Sequence, residues 1–336
     1  MIRAGTPSLA LIAGLFVIGC NEMPVSADDK VAETDLTNTL ASSKDTHTRD
    51  RAGDQDLALY VSSGSTDNVL AFDGEDGSFE RKFARHGGLI EPEGLAFGPD
   101  GNLYVSSRSD EVLRFDGATG EFIDVFASGH GLVDPAGIAF GGPGDDLFVA
   151  SGLTDDGRGN QILRFDGVTG AFEAVLDPNN LAGLDDPEAV VFGPDGLLYV
   201  SSTPEQGPGE VIRYDPATNS FVDKFIPKAS SQIEDPTGLV FGPNGDVFMS
   251  SAATSEVKRY NGTTGALEGV FITAGLGGLN EAEGMAFGPN GNLFVASESG
   301  HAVLEYNGTT GAFVRAFVKA KRAGLREPTF ITFGPE

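Results

Sequence analysis

Glu93-Gly94-Leu95-Ala96-Phe97-Gly98-Pro99-Asp100-Gly101-Asn102-Leu103-Tyr104-Val105-Ser106-Ser107 contains two short β-type runs around a Gly-Pro-Asp-Gly turn. Val112-Leu113-Arg114-Phe115-Asp116-Gly117 follows, then Phe122 and Phe126, so the unit holds four strand signals. It repeats. The second strand recurs at Tyr60, Tyr104, Phe148, Tyr199, Phe248 and Phe294, and the third at Val69, Val112, Ile162, Val211, Val257 and Val303. Six copies spaced 43 to 51 residues apart, each of four antiparallel strands, carry the period of propeller blades. The reading is an all-β, six-bladed β-propeller.

The two ends of the repeat array complete each other. The first copy opens at Leu57 with its second strand, while Pro328-Thr329-Phe330-Ile331-Thr332-Phe333-Gly334-Pro335 matches a first strand and stops. The C-terminal strand is therefore expected to complete the first blade and close the ring, which removes open sheet edges. Residues 55–336 form this domain, preceded by residues 20–54, rich in Asp, Ser, Thr and Ala, an acidic tether with too little apolar content to fold.

Arg3, the apolar run Leu9–Ile18 and Val17-Ile18-Gly19-Cys20 resemble a lipoprotein signal peptide with its lipobox over residues 1–19. The resemblance implies cleavage before Cys20 and acylation of that residue. The expectation is an exported, monomeric protein, lipid-anchored to the bacterial cell envelope on its periplasmic or cell-surface side. Cys20 is the only cysteine, so no disulfide framework is available. A net charge of -27, from 49 acidic against 22 basic residues, argues against nucleic acid as a partner.

Loop lengths mark one face as variable. The third-to-fourth turn is constant, with Phe72 and Phe79, Phe115 and Phe122, Phe165 and Phe172, and Tyr214 and Phe221 all seven apart. The second-to-third loops vary, and the longest, Gly152 to Gln161, carries Asp155, Asp156 and Arg158. Insertions confined to one face point to a binding face for a protein, carbohydrate or small-molecule ligand. His86, His130, Glu298 and His301 fall on that face.

At the channel mouth there, the residues entering the innermost strands read Glu93, Ala136, Glu188, Thr237, Glu283 and Thr329. Three carboxylates at threefold spacing around one axis are hard oxygen donors suited to Ca²⁺ or Mg²⁺. Elsewhere, the Ser106-Ser107 and Ser201-Ser202 pairs are expected to satisfy backbone groups, and Asn261 and Asn307 to be turn residues. Arg114, Arg164, Arg213 and Arg259, opposite the apolar face of the third strand, are expected at solvated outer positions.

Residues 57–336 resemble NHL-repeat propellers, and the motif entering the innermost strand is similar to that of the SMP-30/gluconolactonase family. That resemblance implies a divalent-metal lactonase or related hydrolase with ligands just before a Gly, as Glu93 before Gly94 and Glu283 before Gly284 are here. Glu188 precedes Ala189, and the family's Trp is missing because the chain has none. The Gly-Pro-Asp-Gly-x-Leu pattern is also similar to streptogramin lyases, which implies a channel-facing His. No acid, base and nucleophile set stands out, so a ligand-binding propeller leads, with a metal-dependent lactonase or esterase, or a lyase, as the alternative.

Overall fold

Short β-branched and aromatic runs separated by Gly turns leave little choice but hairpins. The computed structural model describes residues 57–152, 159–204 and 207–336, and within them the strands assemble into six four-stranded antiparallel sheets. The strands of the second sheet, Pro92–Phe97, Leu103–Ser107, Glu111–Phe115 and Phe122–Ser128, run in sequence order from the axis outward. The first sheet differs: its innermost strand is the C-terminal Pro328–Pro335, paired antiparallel with Leu57–Ser63. Tyr60 Oη donates to the Pro335 carbonyl at 2.6 Å, adding a partly buried tie to that ladder. Residues 1–19 and 20–54, with Cys20, lie outside the described residues, as do Asp155, Asp156 and Arg158.

The sheets are joined by one repeated aromatic contact. The aromatic residue of each second strand meets, edge to face, an aromatic residue of the next blade's innermost strand. These pairs are Tyr60–Phe97, Tyr104–Phe140, Phe148–Phe192, Tyr199–Phe241, Phe248–Phe287 and Phe294–Phe333, with centroids 4.6 to 5.5 Å apart. Edge-to-face geometry suits the ring quadrupoles and adds to the area each ring buries. The last pair belongs to the C-terminal strand, so the closing contact repeats the other five. The constant third-to-fourth turn has a similar cause, because its flanking aromatics meet edge to face across it, as Phe115 and Phe122 do at 5.8 Å.

The third-strand arginines correct the expectation of solvated positions. Arg114, Arg164 and Arg213 have side chains only 15 to 20% exposed, and Arg259 is 33% exposed. Each is held by acids: Arg114 by Asp124 and Arg213 by Asp223, Arg164 by Asp146 and Glu173, Arg259 by Asp246 and Glu268. Arg114 also lies over Phe126 and Arg213 over Phe225. Alternation does aim them away from the blade's apolar face, but the aromatic ring of the fourth strand and a planar guanidinium fit together there. In the last blade the pair is exchanged, with Glu305 on the third strand and Arg315 on the fourth, 2.5 Å apart.

Near the axis the innermost strands approach so closely that a side chain has no room. A Cβ on Gly137 would lie 2.4 Å from the Glu188 carbonyl oxygen and 2.9 Å from the Val190 nitrogen. Gly137→Val is expected to destabilise the protein by about 3 kcal/mol or more, since backbone rather than a movable side chain must give way. A urea titration checks this, and an unchanged midpoint would refute the close approach.

Candidate functional site

Each innermost strand begins with a β-bulge. In the second blade Pro92 pairs with Ser107 and Leu95 with Val105, so Glu93 and Gly94 together face the single residue Ser106. The same shift recurs in the other five blades. A bulge re-aims its side chains, and here it turns one residue per blade toward the channel mouth. The first serine of the Ser-Ser pair fits the bulge: Ser106 accepts from Gly94 N–H at 2.7 Å and donates to the Ala136 carbonyl of the next blade at 2.6 Å. Ser201 and Ser250 accept in the same way from Ala189 and Gly238. The second serine anchors the link between blades, as Ser107 does with the N–H and carbonyl of Ile90. The serines thus do satisfy backbone groups, and in doing so they build the mouth. Asn261 and Asn307 likewise accept from their own turns.

Glu93, Glu188 and Glu283 share one cavity of about 540 Å³ with Thr237 and Thr329. Glu298 lines it too, and Arg108, Asp235 and Glu281 join them. The histidines do not. His86 is exposed, His130 stacks on Phe172 at 4.4 Å, and His301 Nδ1 accepts from the Glu327 backbone N–H at 3.1 Å. A channel-facing histidine base is therefore missing among the described residues of the cavity.

Glu298 apart, two further tiers of residues were not singled out from sequence. The residue after each second strand forms one tier: Gly64, Arg108, Gly152, Thr203, Ala252 and Glu298, each donating its backbone N–H to a carbonyl of an interblade link. Only Arg108 and Glu298 among them carry charge. The other tier is acidic, with Glu91, Asp134, Asp186, Asp235, Glu281 and Glu327 all in the left-handed region at φ between 39° and 52°. Five of these N–H groups donate to a side chain of the preceding blade, namely Asp67, Asp110, Asn160, Ser255 and His301. The sequence signal was an acid standing directly before the strand's first residue, five times a proline.

The three inner glutamates have different surroundings. Glu283 is buried and Glu93 and Glu188 half-buried, all with solvent reaching them through the cavity. Burial pushes the Glu93 carboxyl up to about 8, although Arg108 acts against the rise. Burial also raises Glu188 well above the ordinary range, and Glu93, Asp186 and Glu283 add to it by repulsion. Glu283 is raised by burial and by Glu298, with which it shares a hydrogen bond. Glu298 and Asp235 are raised by burial and by Glu281. Glu93 thus has a guanidinium nearby and Glu283 a carboxyl partner in Glu298, whereas the charges that act on Glu188 are those of other acids.

In donor chemistry and charge the set fits a hard cation, because oxygen donors held reluctant to ionise gain most from one. The oxygens of Glu93, Glu188 and Glu283 are not gathered within 4.8 Å of one another, however. Among the described residues, Asp146, Asp166 and Glu173 are the group that is so gathered, at the opposite end of the blades. Arg164 already bonds Asp146 at 2.5 Å and Glu173 at 2.8 Å, so that group has its cation.

Comparison with known proteins agrees with this architecture. A family model described as strictosidine synthase-like, N-terminal, matches residues 82–115. No curated protein matches the chain. A chain of a nidogen–laminin complex aligns with a TM-score of 0.64 and 17% identity, covering 82% of this chain and 98% of that one. A protein of unknown function from Bacteroides caccae aligns with a TM-score of 0.62 and 13% identity, over 84% and 100% of the two chains. A protein assigned as a gluconolactonase aligns with a TM-score of 0.54 and 19% identity, over 68% and 77%. At these identities the likeness is one of fold: the chain is a six-bladed β-propeller with structural neighbours and a short strictosidine synthase-like match.

Proposed function

We propose that this chain is an exported, Cys20-anchored binding propeller that takes its ligand at the channel mouth, with a divalent cation, Ca²⁺ or Mg²⁺, as part of the site. The observation that carries the reading is the set of Glu93, Glu188 and Glu283 in one cavity, each kept from ionising by burial and by neighbouring acids. Such carboxyls release their protons when a cation arrives, so binding is linked to pH. Glu93, Glu188 and Glu283 would hold the ion, with Asn280, Thr237 and Thr329 as neutral donors for a polar ligand beside it. The ligand is of unassigned identity, a protein, carbohydrate or small molecule.

A second reading, a hydrolase of lactones or related esters, has one observation in its favour. Glu93 titrates near 8, so it is able to take and return a proton at neutral pH. The gluconolactonase-assigned neighbour points the same way. The ion, when bound, would polarise a carbonyl.

The test is calorimetry with Ca²⁺ and with Mg²⁺ at pH 8, followed by thermal melts. Binding is expected to raise the melting temperature, and Glu188→Gln to weaken it about tenfold or more by removing one charged donor. No heat and no thermal shift with either ion would overturn the cation reading. Turnover of any member of a lactone and ester panel would favour the hydrolase; inertness would leave the binding propeller.

A further inference from the structure

Arg108 brings a positive charge into the acidic mouth. It follows the second strand of the second blade, and its backbone N–H is fixed to the Ile90 carbonyl at 3.0 Å. Its guanidinium reaches three acids: Glu91 at 3.2 Å, Glu93 at 3.5 Å and Asp134 at 3.2 Å. Of these, only Glu93 is one of the three inner glutamates, and its side chain is 15% exposed, whereas Arg108 is 48% exposed. The equivalent place in the last blade carries Glu298, which adds negative charge beside Glu283 instead of neutralising it.

We infer that Arg108 is a built-in counter-ion that holds Glu93 out of the cation site, so that filling the site requires this arginine to let go. This rests on the cation reading above and assigns the regulation of that site. Two charges competing for one carboxylate are mutually exclusive at short range, and like charges a few ångströms apart repel strongly in a partly desolvated cavity. A half-exposed guanidinium on a long stem also leaves readily, because exposed ion pairs are individually weak. The arrangement therefore favours a weak, reversible site over a permanent one. Glu93, paired with this arginine at 3.5 Å, is one of the three glutamates whose oxygens are not gathered.

The experiment uses the purified full chain and Ca²⁺ alone, at pH 9, above the Glu93 transition near 8, so that proton competition at that residue is small. Arg108→Gln is expected to bind Ca²⁺ about tenfold more tightly than the wild type, and Arg108→Lys, which keeps the charge, to stay within about threefold. In the wild type, Ca²⁺ is expected to shift the Arg108 side-chain N–H signal in a nitrogen-detected NMR titration, a readout that does not depend on any variant folding. Wild-type binding without tightening in Arg108→Gln, or without movement of that signal, would overturn the inference alone. No binding by wild type or variant would overturn both it and the cation reading.

Discussion

A chain ending at Glu327 is expected to lose cooperative folding, because the missing residues 328–336 are the whole innermost strand of the first blade. The loss includes the ladder to Leu57–Ser63, buried Ile331, the Phe294–Phe333 interblade pair and the Tyr60–Pro335 hydrogen bond. Each large buried apolar side chain is worth about 1.5 to 3 kcal/mol, against a total stability of about 5 to 15 kcal/mol for an ordinary domain. The strand also covers backbone groups that would otherwise be stranded at an open edge. The expected result is a melting temperature lower by about 20 °C or more, or no transition at all, in far- and near-UV circular dichroism. A truncated chain that melts within about 5 °C of the full one would show that the ring does not depend on its closure.

The second large effect is an inverted pH dependence. Most surface carboxyls are easier to ionise in the folded state, so acid destabilises; at this mouth the sign is reversed. The folded Glu93 carboxyl titrates near 8, against 4.5 when unfolded, so across that window the folded chain holds a proton that the unfolded chain has released. The stability this proton contributes is complete below about pH 4.5 and is lost as pH rises through about 8. At about 1.4 kcal/mol per pH unit, Glu93 alone accounts for on the order of 3 to 5 kcal/mol, and Glu188 and Glu283 act in the same direction. The cation-free protein is thus expected to melt about 10 °C lower at pH 9 than at pH 5. Glu80, raised to about 7 by burial and a hydrogen bond to Glu336, adds to the slope, so Glu93→Gln and Glu188→Gln are the controls that isolate the mouth. Both are expected to flatten the profile, and Ca²⁺ to restore stability at pH 9. Equal slopes in wild type and both variants would place the effect elsewhere.

The ring and its closure were legible from the chain because each rests on a local signal repeated with a period. Turn glycines, alternating apolar residues and the paired aromatics recur in every blade, and the orphan strand at Pro328–Pro335 matches the gap before Leu57. Glu93, Glu188 and Glu283 were legible for the same reason, since position along a periodic strand fixes position around an axis. Arg108 was not. It lies in a loop whose length varies, and two of its three partners, Glu91 and Asp134, belong to different interblade links. The clamped arginines were misjudged because alternation reports which way a side chain leaves its strand. It does not report the aromatic ring or the carboxylate of the neighbouring strand waiting there.

The bulge at the start of every innermost strand separates two tasks that proteins often entangle. Its shape comes from main-chain register, a hydroxyl behind it in four of the blades, and glycines at the interblade approach, none of which concerns the identity of the residue it projects. Ala136, Thr237 and Thr329 therefore occupy sockets equivalent to those of the glutamates. Lineages sharing this ring are free to exchange the occupants of six such sockets and acquire new chemistry while the scaffold stays as it was.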